Sequence, residues 1–103
     1  MTYSFSSRAT VASDVLFRLV GNEAVLLHLK TELYLGLDPV GTEMWVVLTN
    51  TSSIEAAYDS LLQVFDVHPQ RLRQDLNDFI EKLLAQGLIE LKSPEFEMAG
   101  QSR

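Results

Sequence analysis

The apolar residues of this chain change rhythm across Leu33–Gly41. Before that point they come in three runs of strand character: Val15-Leu-Phe-Arg-Leu-Val20, Glu23-Ala-Val-Leu-Leu-His-Leu29 and Leu33-Tyr-Leu-Gly-Leu37. Gly21 and Asn22 separate the first two, and both tolerate the positive φ that a two-residue hairpin requires. Such a loop sets Phe17 opposite Leu26 and Leu19 opposite Ala24 on one face. Leu16 then meets Leu27, and Arg18 meets Val25, on the other. Apolar residues on both faces predict a sheet covered on one side and partly on the other. The short break Lys30-Thr31-Glu32 predicts a meander, with the third strand beside the second. One edge of the third strand is then left unpaired, with backbone donors and acceptors turned outward.

After Leu37 the period becomes helical. Asp38 suits an N-cap and Pro39 the first helical position, so a helix is predicted over Pro39–Leu48, with Val40, Met44, Trp45 and Leu48 as its apolar stripe. Asn50-Thr-Ser-Ser53 interrupts it. Ser52 followed by Glu55 fits a capping box, which starts a second helix at Ser53 or Ile54. Ile54, Ala57, Tyr58, Leu61, Leu62 and Phe65 supply its buried face. Asp66-Val-His-Pro69 ends that helix, and Pro69 opens a third. Leu72, Leu76, Phe79, Ile80, Leu83 and Leu84 lie on one stripe of it, and Gly87 is placed as its C-terminal cap. Leu88-Ile-Glu-Leu91 reads as a short strand or an extended tail that packs back. Residues 1–13 show no sustained period and are expected to form a flexible arm. Residues 93–103 are expected to form a flexible tail, leaving one domain over residues 14–92. The predicted fold is α+β, a three-stranded antiparallel sheet followed by three helices.

Composition narrows the chemistry. Hydrophobic residues make up 47 % of the 103 residues and charged residues 21 %, which a globular chain needs and a disordered one lacks. There is no cysteine, so disulfides, thiol nucleophiles and thiolate metal ligands are all absent. No signal-peptide h-region and no membrane-length apolar run is evident, which makes the cytosol the expected compartment. The net charge of −6 disfavours phosphate-binding surfaces. In the third helix, Arg71, Arg73 and Lys82 are matched by Asp75, Asp78 and Glu81, so it is not a basic recognition helix.

Catalytic and metal constellations are missing as well. His28 and His68 stand apart with no spaced His/Asp/Glu partners, so neither a metal nor a cofactor is expected. No nucleophile motif or phosphate-cradling glycine loop occurs. The carboxylates of Asp75, Asp78 and Glu81 suit a solvated helix face better than an acid–base pair. Trp45 suits core packing. Tyr34 alternates with leucines and faces away from them. Gly36 weakens its strand but permits close backbone approach.

The stretch Tyr34-Leu-Gly-Leu-Asp-Pro-Val-Gly-Thr-Glu-Met-Trp45 resembles the core of the PqqD-like family, also called RiPP recognition elements. Ser53-Ile54-Glu55, Phe65-Asp66 and the run from Leu76 to Leu88-Ile89 match too, so the resemblance spans about residues 14–91. Asp38 stands where the family commonly has Asn, a change that an N-cap accepts. The resemblance implies a winged helix-turn-helix-like fold. It also implies a non-catalytic chaperone that binds the leader of a ribosomally made precursor peptide and presents it to a modifying enzyme, often a radical-SAM enzyme. The leader is then expected to join the sheet by β-augmentation along Leu33, Tyr34, Leu35, Gly36 and Leu37. The opposing helix wall is expected near Arg71, Leu72, Asp75, Leu76 and Phe79; Leu72, Leu76 and Phe79 equally suit the core. The competing readings are a winged-helix DNA-binding regulator, a small enzyme, and a homodimer formed through the same edge or by strand swapping.

Overall fold

The computed structural model describes residues 3–93. In chain order the elements are β1 (Arg8–Val11), β2 (Val15–Val20), β3 (Glu23–His28), β4 (Tyr34–Leu37), α1 (Pro39–Thr49), α2 (Ile54–Val64), α3 (Pro69–Ala85) and β5 (Ile89–Lys92). Strands β2, β3 and β4 form an antiparallel meander, and β1 pairs antiparallel with β5 in a second, two-stranded sheet. The three-stranded sheet followed by three helices is the α+β arrangement that the pattern predicts. The hairpin register is also as expected, with Phe17 opposite Leu26 and Leu16 opposite Leu27. Gly21 makes this turn possible, taking φ +66° at the first loop position while Asn22 keeps a negative φ.

Each helix starts on a side-chain cap. Asp38 Oδ1 accepts a hydrogen bond from Gly41 N at 2.7 Å, and Ser53 Oγ accepts from Ala56 N at 3.0 Å. His68 Nδ1 accepts from Gln70 N at 3.2 Å, just ahead of Pro69. The cap of α2 is therefore Ser53, and the predicted box between Ser52 and Glu55 does not frame this helix start. The reason is one of length: with Ser53 as cap, the third helical residue is Ala56, one position past Glu55. The other histidine serves a turn, since His28 Nδ1 accepts from Lys30 N at 3.2 Å in the β3–β4 connection. Gly87, at φ +70°, closes α3 as predicted.

The helices bury their stripes against one face of the meander. Leu26, Leu48, Ile54, Leu61, Leu72, Leu76, Ile80, Leu83 and Leu88 are the largest fully buried side chains. Trp45 is 2 % exposed and stacks on Phe17 with ring centroids 6.2 Å apart, so it is a core residue. Val40 is a correction to the predicted α1 stripe. It sits in the first helical turn and is half exposed, lining an open groove with Leu19 and Val64.

The N-terminal segment also differs from expectation. From Tyr3 onward the predicted arm is packed: Phe5 is buried, β1 pairs with β5, and Arg73 lies 4.1 Å above the Phe5 ring. The Phe5 and Ser7 carbonyls accept from Glu55 N at 2.7 Å and Ile54 N at 2.8 Å, satisfying donors at the start of α2. The Tyr3 hydroxyl bonds to Asn77. Its pKa is pushed up to about 12, by burial first and then by the Glu81 and Asp78 carboxylates. The predicted C-terminal tail, apart from Ser93, lies outside the described residues.

Candidate functional site

Backbone alternation fixes what the open edge of β4 offers. Antiparallel strands exchange both hydrogen bonds at every second residue pair. His28 N donates to the Leu33 carbonyl at 2.9 Å, so Leu33, Leu35 and Leu37 direct their backbone groups toward β3. The N–H and C=O groups of Tyr34 and Gly36 consequently point away from the sheet. These two residues carry the docking capacity of the edge, and the leucines between them hold the strand in place.

The side chains alternate as well. Leu35 and Leu37 share a face with Leu26 and Ala24, toward the core, while Tyr34 and Gly36 share the outer face with Leu27 and Val25. Leu37 is buried, Leu35 half-buried and Tyr34 75 % exposed. Leu33 precedes β4 and is 59 % exposed.

On the inner side the edge borders α3. A groove of about 290 Å³ runs between them, lined by Leu35, Gly36, Leu37, Asp38, Gly41, Phe79 and Lys82. Of the predicted helix wall, only Phe79 lines this groove, half-buried at the margin of the core. Leu72 and Leu76 are buried and cannot meet a ligand directly; their place on the α3 stripe turns them into the core. Arg71 and Asp75 are exposed and pair with each other at 3.4 Å, one helical turn apart. Lys82 also lines the groove, outside the predicted wall. Its spacing of three from Phe79 and seven from Asp75 is the signal that puts it on their stripe.

The remaining arginine of α3 faces elsewhere. Arg73 pairs with Glu55 at 3.8 Å and stacks over Phe5 and Tyr58, which holds it against α2 and the N-terminal segment. Among the described residues, no group of three or more His, Cys, Asp or Glu is placed to hold a metal ion. No helix among them is long and apolar enough to cross a membrane.

A family model described as coenzyme PQQ synthesis protein D (PqqD) matches residues 23–89. That range runs from the first residue of β3 to the first of β5 and contains the whole β4–α3 groove. Among solved structures, the chain is similar to one described as TbiB1 in complex with the TbiA(beta) leader peptide. The TM-score is 0.74 at 32 % sequence identity, over 79 % of this chain and 94 % of that one. No curated protein matches significantly.

Proposed function

The chain belongs to the PqqD family, and we propose that it acts as a non-catalytic chaperone for a ribosomally made precursor peptide. In this reading the leader joins the sheet at β4 by β-augmentation, and the bound precursor is handed to a modifying enzyme, of which a radical-SAM enzyme is the expected kind. One observation carries the reading: the outward backbone groups of Tyr34 and Gly36 adjoin a groove lined by Leu35, Phe79 and Lys82. Main-chain bonds there would supply affinity and the groove would supply selectivity. The likeness to a leader-peptide complex supports the same assignment. In this reading the protein works in the cytosol, where ribosomes make the precursor. The DNA-binding alternative gains nothing from the geometry, because Arg71 and Arg73 of α3 pair with Asp75 and Glu55.

The test is a titration of two labelled peptides, the TbiA(beta) leader and the leader of any short precursor encoded beside this gene. Each is titrated into the wild type and into Gly36→Pro. Proline at position 36 removes an outward donor, whereas proline at Leu35 would break a bond to β3 and damage the sheet. Micromolar or tighter binding, about −8 kcal/mol, is expected for the wild type. The folded Gly36→Pro protein should bind at least tenfold more weakly. Equal affinity in that variant, with its circular dichroism unchanged, overturns docking at β4. Sedimentation of the free protein reports whether a second copy occupies the edge instead.

A further inference from the structure

The two sides of the β4 edge carry opposite chemistry. A strand laid along β4 and bonded to Gly36 must place the residue opposite Gly36 on the outer face. Its immediate neighbours then fall on the inner face, toward α3. This holds whichever way the strand runs.

On the inner face such a neighbour enters the groove beside Phe79 and Lys82. Lys82 is exposed, and its ammonium, like the cations of Arg8, Arg18 and Lys92, has no ion-pair partner within 4.0 Å among the described residues, but of these only Lys82 lines the groove. The one carboxylate lining that groove, Asp38, is engaged as the cap of α1. An incoming carboxylate would find a free cation against an apolar wall.

The outer face is the reverse. There the edge borders an open depression of about 330 Å³ lined by Val20, Glu23, Val25, Gly36 and Asp38, together with Ala24 and Leu37. No basic residue lines it. Arg18, the cation on this face, lies beyond Val25 on β2, about 10 Å from Gly36 at two strand spacings. Val20 and Val25 suit an aliphatic stem and the Glu23 carboxylate suits a charged head, Asp38 being engaged as the cap of α1, and together they describe Lys or Arg.

Gly36 itself points the same way. A Cβ built there would meet nothing within 4 Å, and its φ lies outside the left-handed region. Neither packing nor backbone geometry calls for glycine, although glycine weakens a strand interior relative to alanine. What the missing side chain leaves open is the surface over which a ligand side chain would cross from the edge to Val25.

We propose that β4 selects a peptide strand bearing an Asp or Glu next to a Lys or Arg. The acid faces Lys82, and the base lies across Gly36 toward Glu23. This rests on the β4 docking reading, and the experiment separates the two. A displayed library of random twelve-residue peptides is selected against the full-length wild type, Lys82→Glu and Glu23→Lys, and each pool is then rescreened on Gly36→Pro. Wild-type binders should be enriched in adjacent acid–base pairs. Lys82→Glu should replace the acid by a base and leave the neighbouring base unchanged, and Glu23→Lys should do the converse. An individual wild-type binder should weaken about tenfold on Lys82→Glu and recover when its acid is changed to Lys. Pools that lose binding on Gly36→Pro yet show no acid–base enrichment, or the same enrichment on all three proteins, overturn the selectivity and leave β4 docking standing. Binding that persists on Gly36→Pro, or no enrichment of any peptide, overturns docking and selectivity together.

Discussion

Asp38 ends β4 and begins α1. Its Oδ1 accepts from Gly41 N at 2.7 Å, and its carbonyl accepts from Thr42 N at 2.8 Å. A Cβ on Gly41 would stand 3.3 Å from that Oδ1, so glycine leaves the cap its room. The carboxylate also faces the positive end of the helix, which favours it electrostatically. Because the same residue follows the last position of β4, the cap fixes the direction in which the edge leaves the sheet. Replacing Asp38 by Ala should lower stability by about 1 kcal/mol, and replacing it by Asn by no more than a few tenths. Urea denaturation with unchanged slope measures both. An Ala variant as stable as the wild type would show that the cap does not hold this junction.

At the scale of elements, the N-terminal segment behaves as part of the core. Phe5 is 7 % exposed and is covered by the Arg73 guanidinium on one side and by the Tyr58 ring on another. Its removal would leave a cavity against α2 and α3 and loosen the carbonyls that satisfy the first donors of α2. Phe5→Ala should therefore cost about 3–5 kcal/mol, a loss that thermal unfolding would register as a clear drop in midpoint. A flexible arm would leave the midpoint where it was. The sequence concealed this segment because only Phe5 and Ala9 of its apolar residues are buried, amid serines and threonines, and its strand pairs with residues about 80 positions away. The meander and the three helices were legible because local signals agree: Gly21-Asn22, Asp38-Pro39 and His68-Pro69 each stop one period where another begins. The candidate site was half legible. Alternation identified the edge at residues 33–37, whereas the helix wall mixed core positions Leu72 and Leu76 with surface ones. Which flank of an amphipathic stripe meets a sheet edge depends on how α3 is rotated against β4, and that is a tertiary property.

For the molecule as a whole, the net charge of −6 and the neutral balance of α3 make salt a discriminating variable. A peptide held mainly by backbone bonds to Tyr34 and Gly36 exchanges hydrogen bonds with water and releases few counterions. The two proposed side-chain pairs, at Lys82 and Glu23, are exposed, and each is worth about 0.2–1 kcal/mol. An acid–base pair on the ligand adds no net charge, so long-range attraction or repulsion from the acidic protein largely cancels. Raising salt from 50 to 200 mM should then weaken leader binding by less than about thirtyfold, the most that two such pairs could lose. A protein neutralising 6–10 phosphates loses about 10³–10⁵ over the same range, because each phosphate contact releases a condensed cation. Fluorescence titrations of a leader peptide and of a DNA duplex, run side by side across that series, measure both slopes. A shallow slope for the peptide with no duplex binding is the expected result. A steep slope for the peptide would mean that charge, rather than the β4 backbone, supplies the affinity, and the role assigned to the edge would fall.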